Sequence, residues 1–176
     1  HKEYRRQRQM CIRDRAYAGQ AGFIDFWAQH NEHRILFPRL LMDVMARLSH
    51  WDVAWELNAS MLFAGVLLGL WVRMLLRGAR DSLARQAAVP LFSLFVLSWT
   101  QNENWIWGFQ CNLWLAMLAV VAGAYALSSE MRYSLRLMIG VTAGTVATYS
   151  YANGLLFWPI MLLLVWDQRA PIEQRK

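Results

Sequence analysis

Charge is scarce in this chain, at 17% of 176 residues against roughly a quarter in soluble domains, so it lacks the solvated surface of an ordinary globule. Cysteine is scarcer still. Cys11 and Cys111 imply neither a disulfide framework nor a thiolate metal site, and Cys111 lies inside an apolar run, where a thiol is packed and inert. No glycine-rich phosphate cradle or other soluble-enzyme signature is present. The first residues also lack an apolar signal segment. A chain that begins at His1 yet must deliver residues 16–56 to the outer side of a membrane is expected to continue upstream, as one piece of a longer protein. The string Met10-Cys11-Ile12-Arg13-Asp14-Arg15 has the look of a translated sequencing adapter, the alternative being a natural basic arm, so residues 1–15 are set apart from the fold.

What is present is apolar, with 57% hydrophobic residues and ten tryptophans. The clearest run, Leu57 to Leu76, carries a single charge, Arg73, and ~20 helical residues at ~1.5 Å each match a hydrocarbon core of ~30 Å. A buried helix of a soluble protein would need amphipathic partners, and the rest of the chain offers more apolar runs instead. These are 87–100, 109–127 and the stretch from Leu135 to Trp166, too long for one crossing. Tyr151-Ala152-Asn153-Gly154 supplies a break there, because Asn and Gly accept the left-handed conformation that ends a helix, and Pro159 suits the start of the next. The expectation is an all-α, multi-pass bundle with about five membrane segments at 57–76, 87–100, 109–127, 135–149 and 154–166, preceded by an interfacial helical region over 16–56.

Basic residues orient it. Arg77, Arg80 and Arg85 fill the first connection, Arg132 and Arg136 the third, and Arg169, Arg175 and Lys176 the tail, so those sides are expected in the cytoplasm. The alternate connections, 101–104 and 149–153, hold no Lys or Arg and face outward. Arg34, Arg39 and Arg47 run against that pattern in the outer region and so are expected to have specific jobs. The net charge of +6 is then explained by cytoplasmic loops holding anionic membrane lipids, and nucleic acid is not implied as a partner.

Three polar clusters fall on the outer side. The first, His30-Asn31-Glu32-His33-Arg34 with Phe37-Pro38-Arg39, reads either as a site in which Arg34 or Arg39 grips a phosphate while Glu32 or a histidine acts as base, or as a polar turn capping an interfacial helix. His30 and His33 with Glu32, joined by Asp25 or Glu103, are a weaker case for a divalent metal ion, since the pattern is not HExxH. The second is Gln101-Asn102-Glu103-Asn104-Trp105-Ile106-Trp107-Gly108-Phe109-Gln110. The apolar run before it is only about fourteen residues, or ~21 Å of helix, shorter than the hydrocarbon core, so part of this loop is expected below the outer surface. There Glu103 lines a cavity, or else Trp105 and Trp107 simply anchor at the interface. The third, Thr148-Tyr149-Ser150-Tyr151-Ala152-Asn153-Gly154, can hydrogen-bond a sugar through Tyr151 and Asn153 or merely satisfy backbone at a helix break. Together they suggest an outward-opening vestibule with aromatic walls.

The strings Ala28-Gln29-His30-Asn31-Glu32-His33-Arg34-Ile35, Glu103-Asn104-Trp105 through Trp107-Gly108-Phe109-Gln110, and Ala152-Asn153-Gly154-Leu155 through Trp158-Pro159 resemble, in order, a group of bacterial multi-pass membrane proteins that look like relatives of the GT-C glycosyltransferases. The resemblance implies a longer parent chain in the inner membrane and an outer-face site that transfers a sugar from a polyprenyl-phosphate donor. It offers Glu32, Glu103 and Asp25 as catalytic acids, although the family's paired acidic motif is missing. It gives Arg34 and Arg39 to the departing lipid phosphate. His30, His33, Gln101, Asn104, Trp105, Trp107, Gln110, Tyr151 and Asn153 complete the substrate-binding set. A transporter or lipid flippase is the competing class, and a non-enzymatic assembly subunit the third.

Overall fold

In a computed structural model of the chain, residues 15, 19, 20, 22–30, 33–50, 52–78 and 82–169 are described, and they form an all-helical protein. The element order is α1 (Phe23–Trp27), a two-residue antiparallel bridge of Gln29–His30 with His33–Arg34, α2 (Leu36–Ser49), α3 (Ala54–Gly78), α4 (Ser82–Val96), α5 (Asn102–Ile106), α6 (Cys111–Leu127), α7 (Tyr133–Thr148) and α8 (Phe157–Arg169). Short 3-10 turns at Trp99–Gln101, Gly108–Gln110 and Ala152–Leu156 precede α5, α6 and α8.

The centre is α6, which packs on α3, α7 and α8. Its buried residues include Ala116, Ala119, Gly123 and Ala126, while α7 buries Gly140, Ala143, Gly144 and Ala147, all spaced three or four apart. Each set lies on one helix face. Two facing stripes of small side chains let backbones approach, the device by which apolar helices associate where water supplies no drive. The approach is tight: a Cβ added to Gly123 would stand 2.9 Å from the Ala143 Cβ and 2.5 Å from Cζ of Phe157. Phe157, fully buried, fills the space above the seam with Leu127 and Met161. On the other side of α6, Ala64, Leu67, Val96 and Trp114 form the α3–α4–α6 core, and Trp71 stacks on Phe92 at 3.7 Å.

The helix breaks fall where the sequence places them, for partly different reasons. α7 ends at Thr148 and α8 begins with Pro159 in its first turn, as expected. Gly154, however, is not left-handed. Its missing side chain matters because a Cβ would run into the carbonyl of Ala147, so close contact rather than backbone freedom selects glycine. A left-handed helix end occurs instead at His50, at φ 51°, whose N–H donates to the Ala46 carbonyl at the end of α2. α2 is one-sided as expected, burying Pro38, Met42, Met45 and Ala46 and exposing Leu40, Val44 and Leu48.

Among the described residues, two helical stretches, Ala54–Arg77 and Gly108–Leu127, are long and apolar enough to cross a membrane, where the sequence suggested about five segments. The others run 15, 16 and 13 residues in α4, α7 and α8. α4 also starts before the expected apolar run, because its first turn is polar and the hydrophobic pattern begins only at Ala87.

The seam sets the stability. Phe157→Ala should cost about 3 kcal/mol by leaving a cavity, and Gly144→Leu should be no milder because Phe157 and Trp158 already occupy its space. Thermal unfolding in detergent checks both, and a melting point unchanged by either would contradict the packing described.

Candidate functional site

The helices alternate in direction, so α1, α2, the start of α3 and the segments 97–110 and 149–156 gather at one end of the bundle, and the end of α3, the start of α4 and the 128–132 connection at the other. The polar clusters therefore meet. Trp27 lies 5.1 Å from the ring of Tyr149, and the Phe37 N–H donates to the Tyr149 carbonyl at 3.4 Å, joining the first cluster to the third. Met42 and Met45 of α2 bury Cys111 together with Phe109, joining the first to the second.

In the first cluster, Arg39 reaches back to α1, its Nη1 donating to the carbonyls of Asp25 at 3.1 Å, Phe26 at 3.0 Å and Ala28. A helix leaves its last carbonyls without partners, and a guanidinium placed there both satisfies them and answers the helix dipole. Asp25 works at the other end of the same short helix, accepting from the Gly22 N–H at 3.0 Å and from Arg15 at 3.1 Å. Arg34 is exposed and lies over the Trp27 ring at 4.7 Å, an attraction between cation and ring face. Arg47 pairs with Asp43 at 3.0 Å one turn away. The backbones of His30 and His33 face each other across the bridge. Their imidazoles, and Asn31 and Glu32 entirely, lie outside the described residues.

The second cluster folds inward. α4 ends at Val96, and Trp105 packs against Ala64, Leu67 and Trp114, its ring 4.5 Å from that of Trp114. Ala64 lies ten residues into α3, roughly 15 Å from its start, so part of the loop does sit well below the end of that helix. The Trp114 indole donates to the Asn104 carbonyl at 3.1 Å, and the Asn104 amide donates to Gln101 Oε1. Glu103 is exposed in the first turn of α5, and among the described residues no hydrogen bond or ion pair joins it to Arg34 or Arg39. Trp107 is exposed beside Phe109 at 5.8 Å, and Gln110 is half-buried. In the third cluster Tyr151 is half-buried and Asn153 exposed, while Thr148 Oγ1 accepts from Trp158 at 2.9 Å.

The sequence reading missed a buried acid. Glu56, 5% exposed in the first turn of α3, lies flush against Gly108 of the returning loop, where a Cβ would come within 2.5 Å of its Oε2 and 2.9 Å of its own Cβ. Among the described residues, Asn112 Oδ1 and Ser150 Oγ at this end are buried without a hydrogen-bond partner. The available signal was Glu56 immediately before the longest apolar run. Among the described residues no three His, Cys, Asp or Glu side chains group to hold a metal ion.

Compared with known proteins, the chain matches no family model, no curated protein and no solved structure.

Two substitutions test this arrangement. Arg39→Ala should destabilise the protein by about 2 kcal/mol through the loss of charge-assisted hydrogen bonds, and protease digestion should then cut first within 22–35. Gly108→Ala should lower the melting point by forcing Glu56 and the loop apart, and Glu56→Ala added to it should restore part of the loss by removing the crowded carboxylate. Equal stability of the single and double variants would mean that Glu56 does not meet Gly108.

Proposed function

We propose that this chain is the membrane-embedded region of a multi-pass protein of the bacterial inner membrane, with about five segments and its clustered polar end outward. α3 carries the membrane part of this reading: it is apolar along most of its length, yet only 17% of its most apolar stretch is buried. The core helix of a soluble protein would be covered. Leu62, Leu91, Leu94, Leu162 and Leu163 are likewise well exposed on three helices, a surface suited to lipid. The short α4, α7 and α8 complete their passages with the 3-10 turns and polar loops beside them.

For the polar end, we propose the handling of a sugar carried on a polyprenyl phosphate, with transfer to an acceptor hydroxyl. The observation that supports it is the convergence of the three clusters through Trp27, Tyr149, Phe109 and Met42. Arg34 is the better phosphate ligand, because Arg39 already donates to backbone, whereas Arg34 is exposed above an aromatic ring. Glu32 and Glu103 are the bases offered to the acceptor, with Asn104, Trp105 and Trp107 holding the sugar and lipid at the interface. Asp25 is a weaker choice, since its carboxylate caps α1. Reorientation of the same lipid by a transporter is the second reading, favoured by the 16- and 13-residue helices that meet at a broken segment.

Membrane-impermeant thiol labelling of intact cells, in a Cys11→Ser/Cys111→Ser background, should modify a cysteine at position 153 and spare one at 130. The reverse pattern would overturn the orientation. In the longest protein containing this chain, a radiolabelled polyprenyl-phosphate sugar should be consumed, and Glu103→Gln or Glu32→Gln should slow turnover at least about a hundredfold. Donor bound but never consumed favours the transporter, and donor neither bound nor consumed removes both readings.

A further inference from the structure

The opposite end of the bundle carries a second charged feature. Arg73 and Arg77 lie four residues apart near the end of α3, hence on one face, and both guanidinium groups stand over a single ring, that of Tyr125 in the last turn of α6, at 5.9 and 5.0 Å. Both arginines are exposed, and among the described residues neither has an ion pair or a hydrogen bond. Two like charges held at one ring repel each other, and ring attraction with the negative end of the α6 dipole offsets only part of that cost. Arg136 behaves differently. Its Nη1 donates to the Leu127 and Ser129 carbonyls at 3.4 and 3.0 Å and so is already spent on closing α6.

Position decides what the pair is for. Arg73 precedes the end of α3 by five residues, roughly 8 Å along the axis, and its neighbours Leu70, Trp71, Val72 and Met74 are apolar. On the membrane reading, that depth lies inside the headgroup boundary, where a lone guanidinium is costly unless it reaches a counter-charge. The available anion there is a lipid phosphate, and the forked guanidinium is the side chain suited to grip its oxygens.

We infer that Arg73, Arg77 and Tyr125 form a binding site for the phosphate of an anionic phospholipid at the end of the bundle opposite the polar clusters. The inference rests on the membrane reading but not on the proposed transfer reaction. The lipid's headgroup lies between the two guanidinium groups over the ring, its acyl chains run along the exposed apolar face of α3 beside Leu76 and Leu62, and Arg77 draws it in from the surface.

The test uses the full chain in a neutral detergent, with bound phospholipid counted by native mass spectrometry against added phosphatidylglycerol or phosphatidylcholine. Phosphatidylglycerol should bind about tenfold more tightly, and R73Q/R77Q should abolish that preference. Arg47→Gln, which removes one positive charge at the far end as Arg77→Gln does at this one, should leave it intact. Tyr125→Phe should keep the preference and Tyr125→Leu should weaken it, because the ring face rather than the hydroxyl positions the arginines. Arg77→Gln alone, in the exposed last turn, should weaken binding several-fold and serves where the double variant does not fold. Equal binding of the two lipids, or a preference that survives R73Q/R77Q, overturns the site. Displacement of the lipid by millimolar inorganic phosphate also overturns it, since the anion would then come from solution. Alkaline extraction separates the two levels: a chain stripped from the membrane overturns both readings, and one retained there without lipid preference overturns only the site.

Discussion

The close approach of α6 and α7 is the constraint on which the rest of the architecture depends. Gly123 and Ala143 leave so little between the backbones that the large side chain packed on both Gly123 and Gly144, Phe157, comes from the next helix. That requirement fixes where α8 begins, and therefore how short the connection after α7 must be. Gly154 pressed on Ala147 is the result: the chain turns back against the helix it has just left. A wider seam would admit side chains from α6 and α7 themselves and free α8 from its position. Packing thus places the third polar cluster, with no need for those residues to attract one another.

The same logic reaches the other two clusters through α6. Its first turn buries Cys111 beneath Met42 and Met45, which anchors α2 and with it the bridge that carries His30 and His33. Trp114, one turn further in, holds the descending loop through Trp105 and the Asn104 carbonyl. One central helix therefore sets the depth of the loop and the location of α2 at once. The polar residues ride on elements whose positions are decided by apolar contacts, so a change of polar chemistry at this end need not disturb the fold.

Much of this was legible in the sequence, and the illegible parts share a cause. The run from Leu57 to Leu76 identifies α3 because its apolarity is continuous, and the breaks at 101–104 and 151–154 stand out because polar residues interrupt long runs. The inward fold of the second loop also followed from the shortness of the run before it. Arg39 was not legible: a guanidinium bound to backbone carbonyls leaves no complementary residue type in the sequence, so it reads like one that grips phosphate. Glu56 was missed because a carboxylate at the edge of an apolar run looks solvated, and only the return of Gly108 from fifty-two residues away covers it. α4 was begun too late because hydrophobic pattern cannot register a polar first turn held in helix by its own hydrogen bonds.

The arginines at the two ends explain why charge counting was ambiguous. At the polar end, Arg39 is satisfied by carbonyls and Arg47 by Asp43, while Arg34 stands exposed over the Trp27 ring. At the other end, Arg73 and Arg77 share one neutral ring, and among the described residues no carboxylate pairs with either. A rule that orients helices by counting Lys and Arg weighs these alike, although only the second kind offers a full charge to an anionic leaflet. On the proposed topology, two of the three outer arginines that contradict the count, Arg39 and Arg47, are held by partners within the fold, and Arg34 alone keeps its charge for a ligand at that end.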